Sequence, residues 1–391
     1  MIRVTDAQRR ARLGRRHHLA SAAATVEDAT TALIGLHSSD PASVFLSARA
    51  RARDFQVADL ERALYEQRSL VRMLGMRRTM FVVDREVAAV MDAACTQALA
   101  PAERRRLVRL VEQQGHASDG ATWLRRVEKL TMRALDELGE ATATELSNVV
   151  PDLKLKVTMG VGKTWGADVG ISTRVLFLLA TEGRIVRARP KGSWISSQYR
   201  WAATERWIGP LPDLDRRAAR AELVRRWLHT FGPGTLTDVA WWTGWGQRET
   251  RAALDAVGAV EVELETDAEP GYLLADDLAP ARVPKAWVAF LPALDPTVMG
   301  WKQREWYLGG HAPRLFDRNG NAGPTVWANG QIVGGWAQRA DGDVVVDLLT
   351  DVNPPTVAMI YREATSLTEW LSGTRVTPRF RTPIEKELST A

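Results

Sequence analysis

The sequence contains only one cysteine, Cys95, and it has no long apolar run. A single thiol excludes an intramolecular disulfide and a zinc site built from several thiolates. No apolar run approaches the roughly 20 residues that cross a bilayer, and no secretory apolar segment follows the basic N-terminus. We therefore expect a cytoplasmic protein with no membrane partner.

Motifs that bind metals or nucleotides are also missing. The histidines are adjacent or scattered, and none has a partner at the i+4 spacing of a helical zinc pair. Neither GxxxxGKS/T nor a strand-borne GxGxxG occurs, and Gly162-Lys163-Thr164 resembles only the end of a phosphate loop. The sequence therefore predicts no metal ion and no cofactor.

The composition is that of a globular protein rich in arginine. The chain has 391 residues, of which 45% are hydrophobic and 25% are charged, and its formal net charge is +5. This length suggests about two to four compact units. Arginines cluster in blocks such as RRARLGRR, which starts at Arg9. These blocks favour a phosphate-rich partner, although solvated helix faces and a GC-rich genome explain them equally well.

A loosely repeated unit organises most of the chain: two or three helices and then, in the clearer copies, a two-stranded basic hairpin. This is the order of a winged helix-turn-helix domain. We predict an α+β protein with tandem winged helix-turn-helix domains and a C-terminal β-rich, barrel-like element. The predicted domains are residues 1–118, 119–210 with the basic hairpin, 211–282 and 283–391. Such folds also serve as interaction or structural units, so the order alone does not assign a function.

Local signals predict individual elements within these units. Apolar spacing indicates a helix over residues 26–36. The run SLVRMLGMRRTMFVV at 69–83 indicates a hairpin in which Gly75 is available for a positive φ. The segments 142–145 and 235–238 each resemble a capping box at the start of a helix.

The residue pattern of the C-terminal part differs from that of the rest of the chain. From Ala286 onward, short β-type runs are separated by Asn-Gly and Asp-Gly turns, which predicts a small barrel or a curled sheet. A helix over residues 355–372 closes it in this interpretation. The segment 375–387 is expected to form a strand and a last turn.

A polar interruption of apolar sequence lies in LIGLHSSDPASVFLSARARAR, residues 33–53. The four polar side chains from His37 to Asp40 stand where core residues would be expected, and arginines follow at positions 49, 51 and 53. Such a cluster suits chemistry on a polyanion. However, Ser and Asp before a Pro at the first helical position also make an ordinary helix start, and spacing alone favours this cap.

The hairpin RIVRARPKGSWISSQYRW at 184–201 alternates cationic and apolar residues. Arg187, Arg189 and Lys191 fall on one face of a strand, and the apolar residues between them fall on the other. Trp194 lies at the predicted tip, PKGSW, where a core residue would be out of place. We favour a nucleic-acid-contacting wing with an aromatic tip over a simple solvated hairpin.

Several long blocks carry a resemblance to a known family. They include GLHSSDPASVFLSARAR, ARPKGSWISSQYRWA, LPALDPTVMGWKQREWYLG and FDRNGNAGPTVWANGQIVGGWAQR. With these blocks in this order, the chain resembles the winged-helix DNA glycosylases of the YcaQ/AlkZ type over nearly its whole length. The resemblance implies a monofunctional glycosylase that clasps duplex DNA and excises alkylated or crosslinked purines, in DNA repair or in self-resistance to a DNA-alkylating compound.

The resemblance also implies where catalytic residues lie. The family pattern is Gln, then an apolar or small residue, then Gln or Asp, and it falls on His37, Ser38 and Ser39. This chain therefore departs from the pattern at both outer positions. A neutral His37 could accept a proton from water, and Ser39 could share that water's hydrogen bonds. Asp40 could stabilise a sugar cation if its carboxylate does not cap the helix.

Three functions stay open at this point, of which the weakest is a protein-interaction scaffold. The first is a glycosylase with His37, Ser39 and Asp40 as catalytic residues. The second is a non-catalytic winged-helix protein that binds DNA as a regulator or lesion sensor. Both of the first two predict a monomer that binds double-stranded DNA, damaged DNA for the glycosylase and damaged or undamaged DNA for the regulator or sensor. The predicted DNA-binding residues are Arg49, Arg51, Arg77, Arg78, Arg187, Arg189, Lys191, Trp194, Ser196, Ser197 and Gln198.

Overall fold

The structure is a computed structural model that describes residues 2–160 and 166–390. The Gly162-Lys163-Thr164 run lies outside these residues. The α-helices are α1 (Asp6–Arg16), α2 (Val26–Thr31), α3 (Pro41–Arg49), α4 (Val57–Glu61), α5 (Arg85–Met91), α6 (Ala100–Gln113), α7 (Gly120–Leu138), α8 (Ala143–Val149), α9 (Ile171–Thr181), α10 (Thr204–Ile208), α11 (Arg216–Phe231), α12 (Leu236–Thr243), α13 (Gln247–Ala256), α14 (Glu305–Leu308), α15 (Ala312–Leu315), α16 (Pro354–Leu371) and α17 (Pro383–Thr390).

The strands connect these helices and form mostly antiparallel sheets. They are β1 (Ile2–Val4), β2 (Leu36–His37), β3 (Leu70–Leu74), β4 (Met80–Asp84), β5 (Glu140–Thr142), β6 (Lys156–Met159), β7 (Ala167–Gly170), β8 (Ile185–Pro190), β9 (Tyr199–Ala203), β10 (Gly234–Thr235), β11 (Val260–Leu264), β12 (Gly271–Leu273), β13 (Val288–Leu291), β14 (Thr325–Ala328), β15 (Gln331–Gln338) and β16 (Val344–Leu348). Within the described residues, no helix has the length and apolar character needed to cross a membrane.

A six-stranded antiparallel sheet in the order β2-β4-β3-β8-β9-β5, together with the turns of its two hairpins, carries most of the predicted site residues. Both predicted basic hairpins, β3–β4 and β8–β9, belong to this sheet, so their prediction is confirmed. The two hairpins meet where Arg72 is in register with Arg187. The sheet thus joins strands from the first two predicted domains, and β1 pairs in parallel with β11 from the third. The four-domain division itself stays a prediction.

The two faces of this sheet pack into different cores. Successive side chains of a strand point to opposite faces, and residues in register share a face. His37 is in register with Phe81, and Phe81 packs into a core with α5 and α11. Leu36, Val82 and Arg72 lie one position along and share the opposite face. There, Leu36 and Val82 join a second core that contains α3.

The predicted helix over residues 26–36 is shorter than expected. It ends at Thr31, and Leu36–His37 form strand β2 instead. Ile34 has a φ of 64°, which is incompatible with a continuing right-handed helix. Gly35 lies so close to β4 that an added Cβ would be 2.5 Å from Cγ1 of Val83. This close approach lets β2 pair with β4 and brings His37 to the edge of the sheet.

The helices at 216–256 follow the sequence signals closely. Thr235 and Asp238 form the expected capping box at the start of α12, and Gly244 ends that helix in the left-handed conformation, with φ 76°. Helix α13 follows directly. Thr142 and Glu145 form the second expected capping box, at the start of α8. These local predictions are confirmed.

The C-terminal sheet is open and is not a barrel. Its four strands run in the order β13-β14-β15-β16, and the two ends of the sheet do not pair with each other. The barrel-like prediction is therefore wrong, whereas the closing helix is confirmed as α16. The strand expected within 375–387 is also corrected: residues from Pro383 onward form α17, which packs on β15. Because α17 covers this face, closure into a barrel is not needed to bury it.

Candidate functional site

His37 lies at the end of β2 and is half-buried. Its ring packs edge-on against Phe81, with 5.2 Å between ring centroids. The backbone N–H of Ser39 donates a long hydrogen bond of 3.5 Å to Nδ1. Burial, with a smaller contribution from the charge of Arg77, lowers the His37 pKa from 6.5 to about 4. The ring is therefore neutral at neutral pH, and its Nδ1 acceptor role leaves the proton on Nε2.

A cleft of about 550 Å³ opens beside His37, and we call it the His37 cleft. Its polar lining residues are His37, Arg77, Thr79 and Asn321. Its apolar walls include Phe81, Trp242, Leu294, Pro296 and Met299. Among the described residues that line it there is no carboxylate, so the cleft combines an apolar interior with a neutral imidazole and a guanidinium.

Asn321 belongs to the polar run Asp317–Asn321, and its amide is held in one orientation. Its Nδ2 donates to Oδ2 of Asp317 at 2.9 Å, and its backbone N–H donates to Oδ1 of the same carboxylate. The amide oxygen is therefore the group of Asn321 that remains available as an acceptor.

The turn between β3 and β4 has two consecutive arginines with positive φ, Arg77 at 53° and Arg78 at 61°. The sequence assigned this role to Gly75, but Gly75 has a φ of −142° and packs closely on Met91. Left-handed backbone at residues other than glycine is strained, and such strain concentrates at functional sites. The Arg77 guanidinium stacks on Trp241 at 4.2 Å from the ring centroid. Arg78 pairs with Glu103 at 2.8 Å.

Asp40 caps helix α3, as spacing favoured. Its Oδ1 accepts from the backbone N–H of Ala42 at 3.1 Å, and Oδ2 accepts from the backbone N–H of Arg379 at 2.8 Å. Arg379 also reaches the carbonyl oxygen of Ser39. Burial raises the pKa of this carboxyl, although the backbone donors oppose that effect. Asp40 thus ties the loop after His37 to the C-terminal segment. Ser38 is buried beside it.

The structure does not bring Arg51 to a surface. Its side chain is fully buried and forms two hydrogen bonds to the Asp295 carboxylate, at 2.7 and 2.9 Å, and one to Thr297. A guanidinium enclosed in this way cannot contact a duplex, so the prediction that Arg51 binds DNA is wrong. Arg49 is mostly buried in an ion pair with Glu363 at 2.6 Å. It lines a separate cleft beside Trp370.

The β8–β9 hairpin borders a second and larger cleft of about 1450 Å³, which we call the basic cleft. Its polar lining includes Arg78, Arg187, Lys191, Ser197, Gln198 and Tyr199. Arg187 stacks on Trp201 at 3.7 Å from the ring centroid. Lys191 pairs with Glu145 at 2.7 Å and is the main cause that lowers the pKa of Glu145 to about 2. Arg189 points elsewhere and pairs with Glu61 and Glu66.

Trp194 is not an exposed tip. It is 9% exposed and packs on Phe45 and Trp370, with ring centroids 5.1 and 5.7 Å apart. The expectation of an aromatic tip is therefore wrong, because residues after Gly192 fold back onto α3 and α16. Ser197 and Gln198 are exposed in the basic cleft, whereas the Ser196 hydroxyl accepts from the Gln198 backbone N–H.

Some residues beside these clefts were not assigned to a site from sequence. Neither Arg72 nor Tyr199 is among the site residues predicted from the sequence. Their signal was present: a charged residue stands between Val71 and Met73 in a strand that is otherwise apolar. Within the described part of the chain, no three His, Cys, Asp or Glu side chains converge into a metal-binding group.

Comparisons with known proteins place the chain among relatives. The family model described as AlkZ-like, DNA glycosylase AlkZ-like, matches residues 30–370. Among solved structures, the Streptomyces sahachiroi DNA glycosylase AlkZ is similar, with a TM-score of 0.72 and 18% sequence identity over 96% of this chain and 99% of that chain. At this identity the likeness shows a shared fold. No curated protein matches the chain.

Proposed function

The chain belongs to the AlkZ-like DNA glycosylase family, and we propose that it hydrolyses the N-glycosidic bond of alkylated purines in duplex DNA. One observation carries this proposal. A neutral His37 stands at a largely apolar cleft, and a basic cleft lies on the other face of the same sheet.

The His37 cleft suits an extruded base. Enzymes that act on a base in a duplex take it out of the stack and hold it between aromatic and apolar side chains. Phe81 and Trp242 supply aromatic walls, and Met299 supplies an apolar one. The Asn321 amide oxygen offers an acceptor for an exocyclic amino group.

The absence of a carboxylate in the described lining of this cleft points to the class of lesion. A neutral purine leaves readily only when an acid protonates it. A purine alkylated at N3 or N7 already carries a positive charge, so the bond from C1′ to the base breaks with its electron pair moving to the base. The base then leaves neutral, and the sugar becomes an oxocarbenium-like cation.

Water completes the reaction at C1′. The Nε2–H of His37 donates a hydrogen bond that holds the water oxygen, while the Ser39 backbone N–H fixes the ring through Nδ1. A new bond forms from the water oxygen to C1′, and the water loses its proton to solvent. His37 is then a positioning group for water, as a carboxamide would be, and its low pKa keeps the ring uncharged beside the sugar cation.

Asp40 has a supporting role in this proposal. Both carboxylate oxygens already accept backbone hydrogen bonds, so Asp40 holds the 38–40 loop in place. Ser39 contributes its backbone N–H, and its hydroxyl lies on the same loop as a second hydrogen-bonding group for the water.

Damaged duplex DNA is the proposed partner, and the protein acts on it as a cytoplasmic monomer. Two element orders, α7-β5-α8-β6-β7-α9-β8-β9 and α11-β10-α12-α13-β11-β12, support this proposal, because each places a two-stranded hairpin after successive helices, as a winged helix does. We take these as the proposed duplex-binding units. Arg78, Arg187, Lys191, Ser197 and Gln198 face one cleft and are the proposed backbone contacts.

Base release from a methylated duplex tests the proposal. The purified chain is incubated with DNA that contains 7-methylguanine and 3-methyladenine, and free bases are quantified by mass spectrometry. Alkali-labile abasic sites must appear in the same amount as free base. Release above the spontaneous rate supports the proposal, and no release from either lesion contradicts it.

A non-catalytic DNA-binding function is the second candidate. It is favoured by one observation: His37 and Ser39 stand where the resemblance places the family's outer catalytic side chains. This function predicts salt-dependent duplex binding with no abasic product from any alkylated substrate.

A further inference from the structure

Arg72 is a buried arginine whose charge has no partner. Its residue exposure is 1%, and within the described residues nothing accepts a hydrogen bond from Nε, Nη1 or Nη2. Buried charges are ordinarily paired, because an unpaired buried charge loses its hydration without compensation. Arg51 of the same chain shows the ordinary arrangement, with Asp295 as its partner. Arg72 therefore needs a different explanation.

Two more unpartnered groups surround Arg72. The Tyr199 ring lies 4.6 Å from the Arg72 guanidinium carbon and 5.2 Å from that of Arg187. The Tyr199 hydroxyl and Arg187 Nε are both buried and have no hydrogen-bond partner within the described part of the chain. Burial, and then the charge of Arg72, lowers the pKa of Arg187 to about 10. Two cations thus share one aromatic ring.

The carboxylates near this cluster are already engaged. Asp40 and Glu61 lie close enough to influence the tyrosines around Arg72. However, Asp40 accepts from the backbone at Ala42 and Arg379, and Glu61 pairs with Arg189. Burial raises the pKa of the Tyr199 phenol, so this group is neutral and does not offset the two charges. Within the described residues no carboxylate forms a hydrogen bond with Arg72.

We propose that Arg72, Arg187 and Tyr199 bind one phosphate group of the DNA backbone. This inference rests on the proposed function, because it takes the phosphate from a bound duplex. Arg187 and Tyr199 line the basic cleft, so a phosphate reaches them directly. Within the described residues no hydrogen bond holds the Tyr199 hydroxyl, and in this proposal a rotation of that side chain opens Arg72 to the same cleft. Guanidinium groups then donate to the phosphate oxygens in a fixed planar geometry.

The position of the cluster relative to His37 fits a backbone phosphate. Arg72 is in register with Val82, and Val82 with Leu36, the residue before His37. Strands lie about 4.8 Å apart, so Arg72 is about 10 Å from Leu36 across the sheet. The phosphate site and the His37 cleft lie on opposite faces, on either side of the β3–β4 turn. In this proposal, a DNA strand that crosses the turn presents a base to one face and a phosphate to the other.

Thermal stability with inorganic phosphate is the first test. The variant Arg72→Met removes the charge and keeps an unbranched side chain, and Arg362→Gln removes an exposed charge on α16 as a matched control. Phosphate must raise the Tm of the wild type more than sodium chloride at equal ionic strength, because it binds the native state. Arg72→Met must have an equal or higher Tm without phosphate and no phosphate response, since relieving a buried unpaired charge is stabilising.

Duplex affinity identifies the source of the phosphate. Binding of an undamaged duplex is measured against salt concentration for the same proteins. Losing one phosphate contact makes the slope of log K against log salt shallower by about 0.9. Arg72→Met must show this change in slope. Tyr199→Phe must lose part of the rise in Tm that phosphate causes. Arg362→Gln must match the wild type in both measurements. Tyr199→Phe, which removes one hydroxyl, serves if Arg72→Met does not fold.

Several outcomes overturn the inference. A wild type that ignores phosphate, or an Arg72→Met variant that responds to phosphate as the wild type does, excludes the site. A phosphate response lost in Arg72→Met with an unchanged DNA slope identifies a site for free anion and overturns the backbone assignment. Loss of the proposed glycosylase function has a different signature: no base release from wild type, with the change in slope retained.

Discussion

Arg77 and Arg78 are consecutive residues, yet they line clefts on opposite faces of the six-stranded sheet. Their positive φ values turn the chain between β3 and β4 and send the two side chains apart. Arg77 joins His37 in the cleft proposed to hold a base, and Arg78 joins Arg187 in the basic cleft. The turn therefore separates the proposed chemistry from the proposed backbone contacts.

This separation predicts different effects for the two arginines. Arg78→Gln removes an exposed charge of the basic cleft, so duplex binding weakens and its salt slope becomes shallower by up to about 0.9. The rate of base release at saturating protein stays unchanged. Arg77→Gln, the matched variant on the other face, lowers that rate more than it lowers affinity. A slower saturated rate for Arg78→Gln with unchanged binding contradicts this division.

The pKa of His37 predicts the pH dependence of base release. Burial lowers it to about 4, so the ring is neutral throughout the neutral range. The single-turnover rate should stay level from about pH 8 to about pH 5.5, with no inflection near the ordinary histidine pKa of about 6.5. It should fall as the pH drops through the folded pKa. A wild-type inflection between about pH 6 and 7 that is missing in His37→Gln contradicts the burial argument.

The same pKa shift predicts a pH-dependent stability difference. The unfolded state binds a proton on His37 near pH 6.5 and the folded state binds it only near pH 4, so stability from this group is lost as the pH falls between them. Below about pH 6.5, the Tm of the wild type should fall progressively relative to that of His37→Gln. Above that pH, the Tm of both proteins should depend on pH in the same way. Thermal melts of both proteins in the same buffers measure this difference.

Asp40 should act through its hydrogen bonds rather than its charge. Asp40→Ala removes the acceptors for Ala42 and Arg379, which should cost about 1–2 kcal/mol of unfolding free energy and slow base release. Asp40→Asn keeps one amide oxygen as a cap acceptor, so it should retain most of the stability and most of the rate of base release. Urea unfolding and single-turnover kinetics measure the two effects. A stable but inactive Asp40→Asn variant places the carboxylate in the chemistry and contradicts the cap assignment.

The buried pair of Arg51 and Asp295 should control stability. Asp295→Ala leaves the Arg51 guanidinium buried and unpaired, so the free energy of unfolding should fall by about 3–5 kcal/mol. The double variant Arg51→Met/Asp295→Leu should recover part of this loss. Urea denaturation measures both values, and equal losses for the single and double variants contradict the explanation.

Sequence predicted the features that depend on neighbouring residues. Asp40 before Pro41, Thr142 before Glu145 and the two basic hairpins are local signals, and each formed as expected. The resemblance named the family, which the match over residues 30–370 confirms. These predictions are correct because a few neighbouring residues determine a cap or a hairpin.

The failures share one physical cause, which is contact between distant parts of the chain. Arg51 looked like a surface cation because its partner Asp295 is 244 residues away. Trp194 looked exposed because its contact Trp370 is far away in the sequence, and a local pattern does not reveal such a contact. The open C-terminal sheet was mistaken for a barrel because α17 supplies its cover. Arg72 was left without a role because only register reveals its neighbours Arg187 and Tyr199.

The central claim is that His37 holds the hydrolytic water at the cleft. Single-turnover release of 7-methylguanine from a duplex measures this most directly, with duplex affinity measured in parallel for wild type, His37→Gln and His37→Ala. We predict release by the wild type, retention of most of that rate in His37→Gln, and loss of about 100-fold or more in His37→Ala at unchanged affinity. Equal rates for His37→Ala and wild type would contradict the account.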